Sequence, residues 1–325
     1  MQKYTVYVDG QAGTTGLKIN ERLANHPNIE IIKIAEDKRK DLNERKRIIN
    51  SVDIVFLCLP DAASIEAVSL INPSNTHTKI IDASTAHRTS PDWAYGIPEL
   101  SQAARVKIAN SNRTAVAGCY ASSFILPLYP LVQSGYIPKD YPITSYGLSG
   151  YSGAGKAAIA DYTDPNIAVN HPTYIAPRPY ALGLSHKHIP EMQKVVGLSY
   201  APIFSPIVNN YYKGLAVATM IHTRLLPKKY TPKTFHEFLS DYYKDAQFVK
   251  VMPFNPSECD TNNLGDKFFT PLACNDTNNA EIFVFGNDEQ ILLFTRLDNL
   301  GKGASGAAIQ NMNIMLGLDE TLALI

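Results

Sequence analysis

The chain has 325 residues, with 30 Lys plus Arg balanced by 30 Asp plus Glu and 45% hydrophobic residues. That length suits two domains of ordinary size rather than one minimal core. The zero net charge lacks the basic excess that a phosphate backbone requires, so nucleic acid is not an expected partner.

Residues 4–8 alternate with β-branched side chains and run into DGQAGTTGLKINERLANHP, where Leu17, Ile19 and Leu23 predict a helix that stops before Pro27. A second strand is expected over 29–35 and a charged helix over 37–50. VDIVFLCLP then reads as a strand covered on both faces. Residues 61–71 have helical spacing, and KIIDAS is another buried strand. Strands alternating with such helices predict an α/β fold, a Rossmann-like doubly wound parallel sheet. Residues 114–138 carry no charge and are long enough for a membrane span, but Ser122, Ser123, Pro127, Pro130 and Gln133 interrupt them. A buried helix with a proline-disturbed second half is expected. Beyond 119, prolines, tyrosines and short alternating runs predict a second α+β domain with a mixed or antiparallel sheet. The stretch 301–320 ends with Ile309, Met312, Ile314, Met315 and Leu316 at helical spacing, as in a helix returning to the first domain. The expected division is therefore 1–118 with 299–325, and 119–298.

Gly10, Gly13 and Gly16 form GxxGxxG after a strand and at the mouth of a helix, the context in which glycines admit a pyrophosphate to a helix N-terminus. The following AEDKRK holds both answers to which dinucleotide binds. Glu36 and Asp37 suit NAD, whereas Lys38, Arg39 and Lys40 suit NADP.

Cys119 lies where a helix should begin. A helix N-terminus that lowers a thiol from its resting pKa of about 8.5 to about 7 raises the thiolate fraction about tenfold. Cys58 lies in a strand, and Cys259 and Cys274 lie in polar loops with no base nearby in sequence. His186 and His188, followed by Glu191, would point to one side of an extended segment. The turn 148–158 is a second glycine-rich entry to a helix suited to an anion, and DASTAHR places Ser84 and Arg88 at the carboxyl edge of a parallel strand. A guanidinium there can hold a phosphate bidentately. The four cysteines lack metal-ligand spacing, and the start MQKYTVYVDG lacks a signal peptide, so no metal and a cytoplasmic location are expected.

Taken together, DGQAGTTGL, DASTAHR, YGIPEL, GCY, SGYSGAGK, HKHIPEM and GASGAAIQNMNIMLGL resemble the shorter type of N-acetyl-γ-glutamyl-phosphate reductase over residues 9–319. Aspartate-semialdehyde and glyceraldehyde-3-phosphate dehydrogenases are broader relatives. The resemblance implies a homodimer or tetramer with Cys119 as nucleophile, one of His186 and His188 as acid/base, and the other binding substrate. It implies NADP(H) contacts from Gly10, Gly13, Thr14, Thr15, Gly16, Ser152, Gly153, Ala154, Gly155 and Asn311, the last near the nicotinamide amide, and the NADP(H) it favours makes Arg39 of the AEDKRK run a further expected contact. Arg88 is implied to bind the acyl phosphate, with Ser149 and Glu191 also at the substrate. Ser149 stands where the aspartate-semialdehyde relatives have glutamine, and AVAGCYASS replaces the NPGCYP of many members.

The expected reaction is reduction of an acyl phosphate to a semialdehyde through a cysteine thioester, because a thioester accepts hydride in a controlled way. Aminoadipyl or aspartyl phosphate is the alternative substrate. A cysteine hydrolase or a nucleotide-sensing module are rivals of another class.

Overall fold

In the computed structural model, residues 3–164, 172–254 and 268–324 are described, and Cys259 lies outside them. The chain divides into two compact units, Met1–Gly118 with Ala304–Ile325, and Cys119–Gly303.

In the first unit, β1 (Tyr4–Asp9), β2 (Ile29–Ile32), β3 (Ile54–Leu57), β4 (Lys79–Asp82), β5 (Ala94–Tyr95) and β6 (Arg113–Ala115) form one sheet in the order β2-β1-β3-β4-β6-β5. Every pairing is parallel. All four residues of β3 are buried, as a strand covered on both faces requires. The helices α1 (Thr14–Ala24), α2 (Leu42–Ile49), α3 (Asp61–Ser69) and α4 (Gln102–Asn110) link the strands. Tyr7, Ile48, Ile49, Val55, Leu57, Ile80 and Trp93 build a core cluster. β2 ends three residues short of the expected strand, and the charged stretch after it is broken. A 3-10 turn at Glu36–Lys38 comes first, and then Asp41 caps α2 by accepting from the Asn43 and Glu44 N–H groups at 2.9 and 3.1 Å. Asp41 therefore starts the helix in the middle of what reads as one run.

The last helix of this unit runs through Gly306–Met315 with all ten residues buried. It buries Gln310, Asn311 and Asn313, which is tolerable only with hydrogen bonds. Gln310 Nε2 donates to Glu99 at 2.8 Å and to Glu320 at 2.9 Å, and Asn313 Oδ1 meets His26 Nε2 at 3.0 Å.

The second unit begins with α5 (Cys119–Gln133), an almost wholly buried helix with Pro127 and Pro130 inside it. Among the described residues no helix is long and apolar enough to cross a membrane. The strands are β7 (Thr144–Gly150), β8 (Arg178–Pro179), β9 (Ile203–Asn209), β10 (Leu215–His222), β11 (Val249–Val251), β12 (Ala280–Gly286) and β13 (Gln290–Leu297). Their order is β11-β12-β13-β10-β7-β9-β8. The sheet is mixed, with β7 parallel to β9 and β11 parallel to β12, and the other pairs antiparallel. Three helices of this unit are α6 (Lys156–Thr163), α7 (Ile189–Val196) and α8 (Pro232–Tyr242).

Candidate active site

The chain leaves β6 and, three residues later, enters α5 at Cys119. The sulfur is thus at the first helical residue, partly exposed, with no acidic side chain in the first turn to oppose its charge. A Cβ on Gly303 would stand 2.7 Å from the Cys119 Cβ, so glycine is needed for the backbone to pass there. The other described thiols are held neutral. Burial, then the charges of Asp82 and Asp9, push the Cys58 thiol up; it sits one residue past β3 rather than inside it. Cys274 is buried and pushed up to about 12, by burial and then by Glu281.

His186 and His188 do not lie on an extended segment. The chain turns there, with the Ile189 N–H bonded to the His186 carbonyl at 3.0 Å, and His188 adopts helical angles as the residue before α7. The helix start at Ile189 and Pro190 closes the segment into a turn, so alternation does not apply. The imidazoles nevertheless meet, their centroids 4.7 Å apart and nearly perpendicular. The His188 backbone N–H donates to His186 Nδ1 at 3.2 Å. In the neutral ring the proton is therefore on Nε2, which lies 3.5 Å from the Tyr180 hydroxyl.

Tyr120, next to Cys119 in the chain, meets both imidazoles. Its ring lies 5.6 Å from His186, 6.1 Å from His188 and 5.2 Å from Phe204 between centroids. Room for it comes from Gly147 on β7, where a Cβ would stand 2.6 Å from two Tyr120 ring carbons. Tyr180 is pushed up to about 12, mainly by burial. Tyr120 is also raised well above the usual phenol value, by burial first and then by Tyr180 and Cys119. Tyr180, Phe204 and Gly147 were not singled out in the sequence. Gly147 carries a signal all the same, since a glycine on a buried strand position marks close approach by another group.

Near this cluster in the chain, Ser149 is buried on β7 and donates to the Gly150 carbonyl at 3.0 Å, and Glu191 is buried in the first turn of α7. Ser152, Gly153 and Ala154 form a 3-10 turn that Gly155 ends at φ +88° before α6. Asn299 anchors that turn by donating to Ser152 Oγ at 2.9 Å while accepting from the Gly214 N–H at 2.8 Å.

The first unit holds the remaining expected site residues. Gly10 has φ +89°, and a Cβ there would stand 2.3 Å from the Cys58 carbonyl oxygen; one on Gly16 would stand 2.4 Å from the Gly10 oxygen. Gly13 caps α1 with no side chain, and Thr14 and Thr15 open the helix with no acidic residue in its first turn. Arg39 is half-buried and paired with the exposed Glu36 at 2.7 Å. At the end of β4, the buried Asp82 carboxylate collects Ser64 Oγ at 2.8 Å, Ser84 Oγ at 2.7 Å and His87 Nδ1 at 2.6 Å. His87 stacks on Trp93 at 4.1 Å, and Arg88 Nη2 donates to the Ala83 carbonyl at 3.1 Å, so the turn carrying Arg88 is tightly held. Asn311 Nδ2 donates to the Gly96 and Ala307 carbonyls at 3.0 and 2.8 Å, leaving Oδ1 buried with no hydrogen-bond partner. That spare acceptor fits the N–H of a nicotinamide carboxamide. Among the described residues, no group of three His, Cys, Asp or Glu side chains is arranged to hold a metal ion.

Residues 5–108 match the NAD binding domain of semialdehyde dehydrogenases, and residues 119–299 match their dimerisation domain. The chain is 44% identical to N-acetyl-γ-glutamyl-phosphate reductase 2 of Nostoc sp., over 100% of both chains. It is 42% identical to N-acetyl-γ-glutamyl-phosphate reductase of Burkholderia lata, over 98% of both. The chain belongs to this reductase family. It is an oxidoreductase of the semialdehyde dehydrogenase type, with a binding domain for a nicotinamide cofactor. The aspartate semialdehyde dehydrogenase of Francisella tularensis has the same fold, with a TM-score of 0.72 at 16% identity over 96% of this chain and 100% of that one.

Proposed function

We propose that the protein reduces N-acetyl-L-glutamyl 5-phosphate to N-acetyl-L-glutamate 5-semialdehyde and phosphate with NADPH, a step of arginine biosynthesis. The observation that carries this reading is the meeting of Tyr120, the residue after Cys119, with both His186 and His188. The Cys119 thiolate attacks the acyl carbon, a C–S bond forms, and phosphate leaves with the electrons of the broken C–O bond. A nicotinamide held by the glycine loop and Asn311 would supply the hydride that reduces the resulting thioester. His186 manages the proton as the sulfur leaves, and its Nε2 is suited to that because Nδ1 is occupied by the His188 N–H. His188 binds substrate.

The remaining roles follow the chemistry of each residue. Arg88 holds the phosphate, with Ser149 and Glu191 at the acyl chain. Gly10, Gly13, Thr14, Thr15 and Gly16, with Ser152, Gly153, Ala154 and Gly155, receive the dinucleotide phosphates. Arg39 takes the 2'-phosphate, exchanging Glu36 for it, and Asn311 takes the carboxamide. The match to the family's dimerisation domain supports a homodimer or tetramer, and the cytoplasm is the proposed location.

Run in reverse, NADP reduction should require both phosphate and N-acetylglutamate semialdehyde. Faster turnover with a semialdehyde lacking the acetyl group, or with the aspartate or aminoadipate analogue, would reassign the substrate.

A further inference from the structure

The Tyr120 hydroxyl is out of place for a packing residue. The residue is 3% exposed, and its oxygen makes no hydrogen bond of normal geometry. A buried donor left unmatched is costly, and phenylalanine would fill the same space before Gly147 and Phe204 without that cost. Ser149 and Tyr180 stand near enough to bear on Tyr120 ionisation, yet neither makes a hydrogen bond of normal geometry with it. Ser149 gives its proton to the Gly150 carbonyl, and the Tyr180 hydroxyl approaches His186 Nε2. What the residue does have is its setting, one position after Cys119 with its ring against both imidazoles.

We propose that Tyr120 is a catalytic residue whose hydroxyl donates a hydrogen bond to the substrate acyl oxygen as Cys119 adds to the carbonyl. The proposal rests on the thioester reading above. In the addition step the thiolate pair forms the C–S bond and the carbonyl π pair moves onto oxygen, where the Tyr120 O–H meets the new charge and keeps its proton. In the collapse that charge re-forms the C=O bond, and the C–O bond to phosphate breaks with its pair leaving on phosphate. A donor not bound to protein beforehand needs no partner broken at the moment of reaction. Burial, reinforced by charge on Cys119, keeps the phenol protonated at any working pH, which makes it a donor and not a base.

The test is Tyr120→Phe, with three readouts on the full-length protein. Thermal unfolding should occur at the same or a higher temperature than in the wild type, because an unmatched hydroxyl is removed. Alkylation of Cys119 by iodoacetamide should proceed at the wild-type rate, because thiol position and ionisation are unchanged. The burst of phosphate from N-acetyl-γ-glutamyl phosphate without NADPH should slow by about 10²-fold, the scale for losing one such donor. A burst within about threefold of wild type overturns the proposal while leaving the thioester reading intact. Alkylation slowing in step with the burst overturns it too, since Tyr120 would then act by positioning the thiol. A variant that fails to fold shows that the hydroxyl is bonded in the resting protein and equally refutes it. If the wild type itself releases no phosphate burst, the thioester reading falls, and this assignment with it.

Discussion

Replacing Asp9 by alanine removes the carboxylate that neutralises Arg45 directly before the first glycine loop. Asp9 Oδ2 accepts from Arg45 Nη2 at 2.9 Å and Nε at 3.2 Å, and Tyr7 donates to Oδ1 at 3.3 Å. The two charged side chains keep only 6% and 8% of their surface, so the variant strands a guanidinium in a nearly dry site. Breaking a buried pair in this way costs about 3–5 kcal/mol. Glu66 still holds Arg45 Nη1 at 2.9 Å, but its side chain is 49% exposed, which sets the expected loss near the lower end, about 3 kcal/mol. Urea unfolding at pH 7, followed by circular dichroism, measures it. The double variant Asp9→Leu with Arg45→Met removes both charges and should recover most of the loss. A loss below about 1 kcal/mol in Asp9→Ala, or a double variant no more stable than the single one, would refute the reasoning.

His26 should make the first unit sensitive to mild acid. Its burial lowers its pKa from 6.5, while its neutral ring donates to Asn313 and accepts from the Asn28 N–H. Because the folded value lies below the unfolded one, the unfolded chain takes up the proton first. The contribution is complete above about pH 6.5 and is lost as pH falls toward the lowered folded value. Thermal unfolding followed from pH 7.5 to 5 should show that slope, and His26→Gln should flatten it; an equally steep slope in the variant would assign it elsewhere. Arg39→Ala should weaken NADPH binding much more than NADH binding in a fluorescence titration, and equal weakening, or tighter NADH binding in the wild type, would remove Arg39 from the 2'-phosphate. Of the histidines, His186→Ala should cost about 10² to 10⁴ in turnover. His188→Ala should mainly raise KM, and near-normal turnover in both would contradict the assignment.

Local pattern made the first sheet legible. β3 reads as doubly covered because every one of its residues is apolar, and the helix after Gly13 announces itself through Ile19 and Leu23, both buried. The same logic placed Cys119 at a helix start, since a short apolar strand and a long apolar helix flank it. Pattern failed where a single residue or a tertiary contact decides. Asp41 splits one charged run by capping its second half, and the helix start after His188 folds an apparently extended HKH into a turn. The ring cluster was out of reach for a different reason. Tyr120, Tyr180 and Phe204 come from segments distant in sequence, and only the missing side chain at Gly147 hints that a ring must pass.

Whether Cys119 carries the chemistry can be read directly by mass. Mixing the protein with N-acetyl-γ-glutamyl phosphate in the absence of NADPH should release phosphate in a rapid burst stoichiometric with active sites. The peptide containing Cys119 should then be heavier by one N-acetylglutamyl group, and NADPH should discharge it. Cys119→Ser should stay folded and bind NADPH, yet show no burst, since a serine hydroxyl at that helix start is hardly ionised. A Cys119→Ser protein that keeps most of its turnover, or a wild type whose Cys119 peptide never gains the acyl mass, would contradict the account.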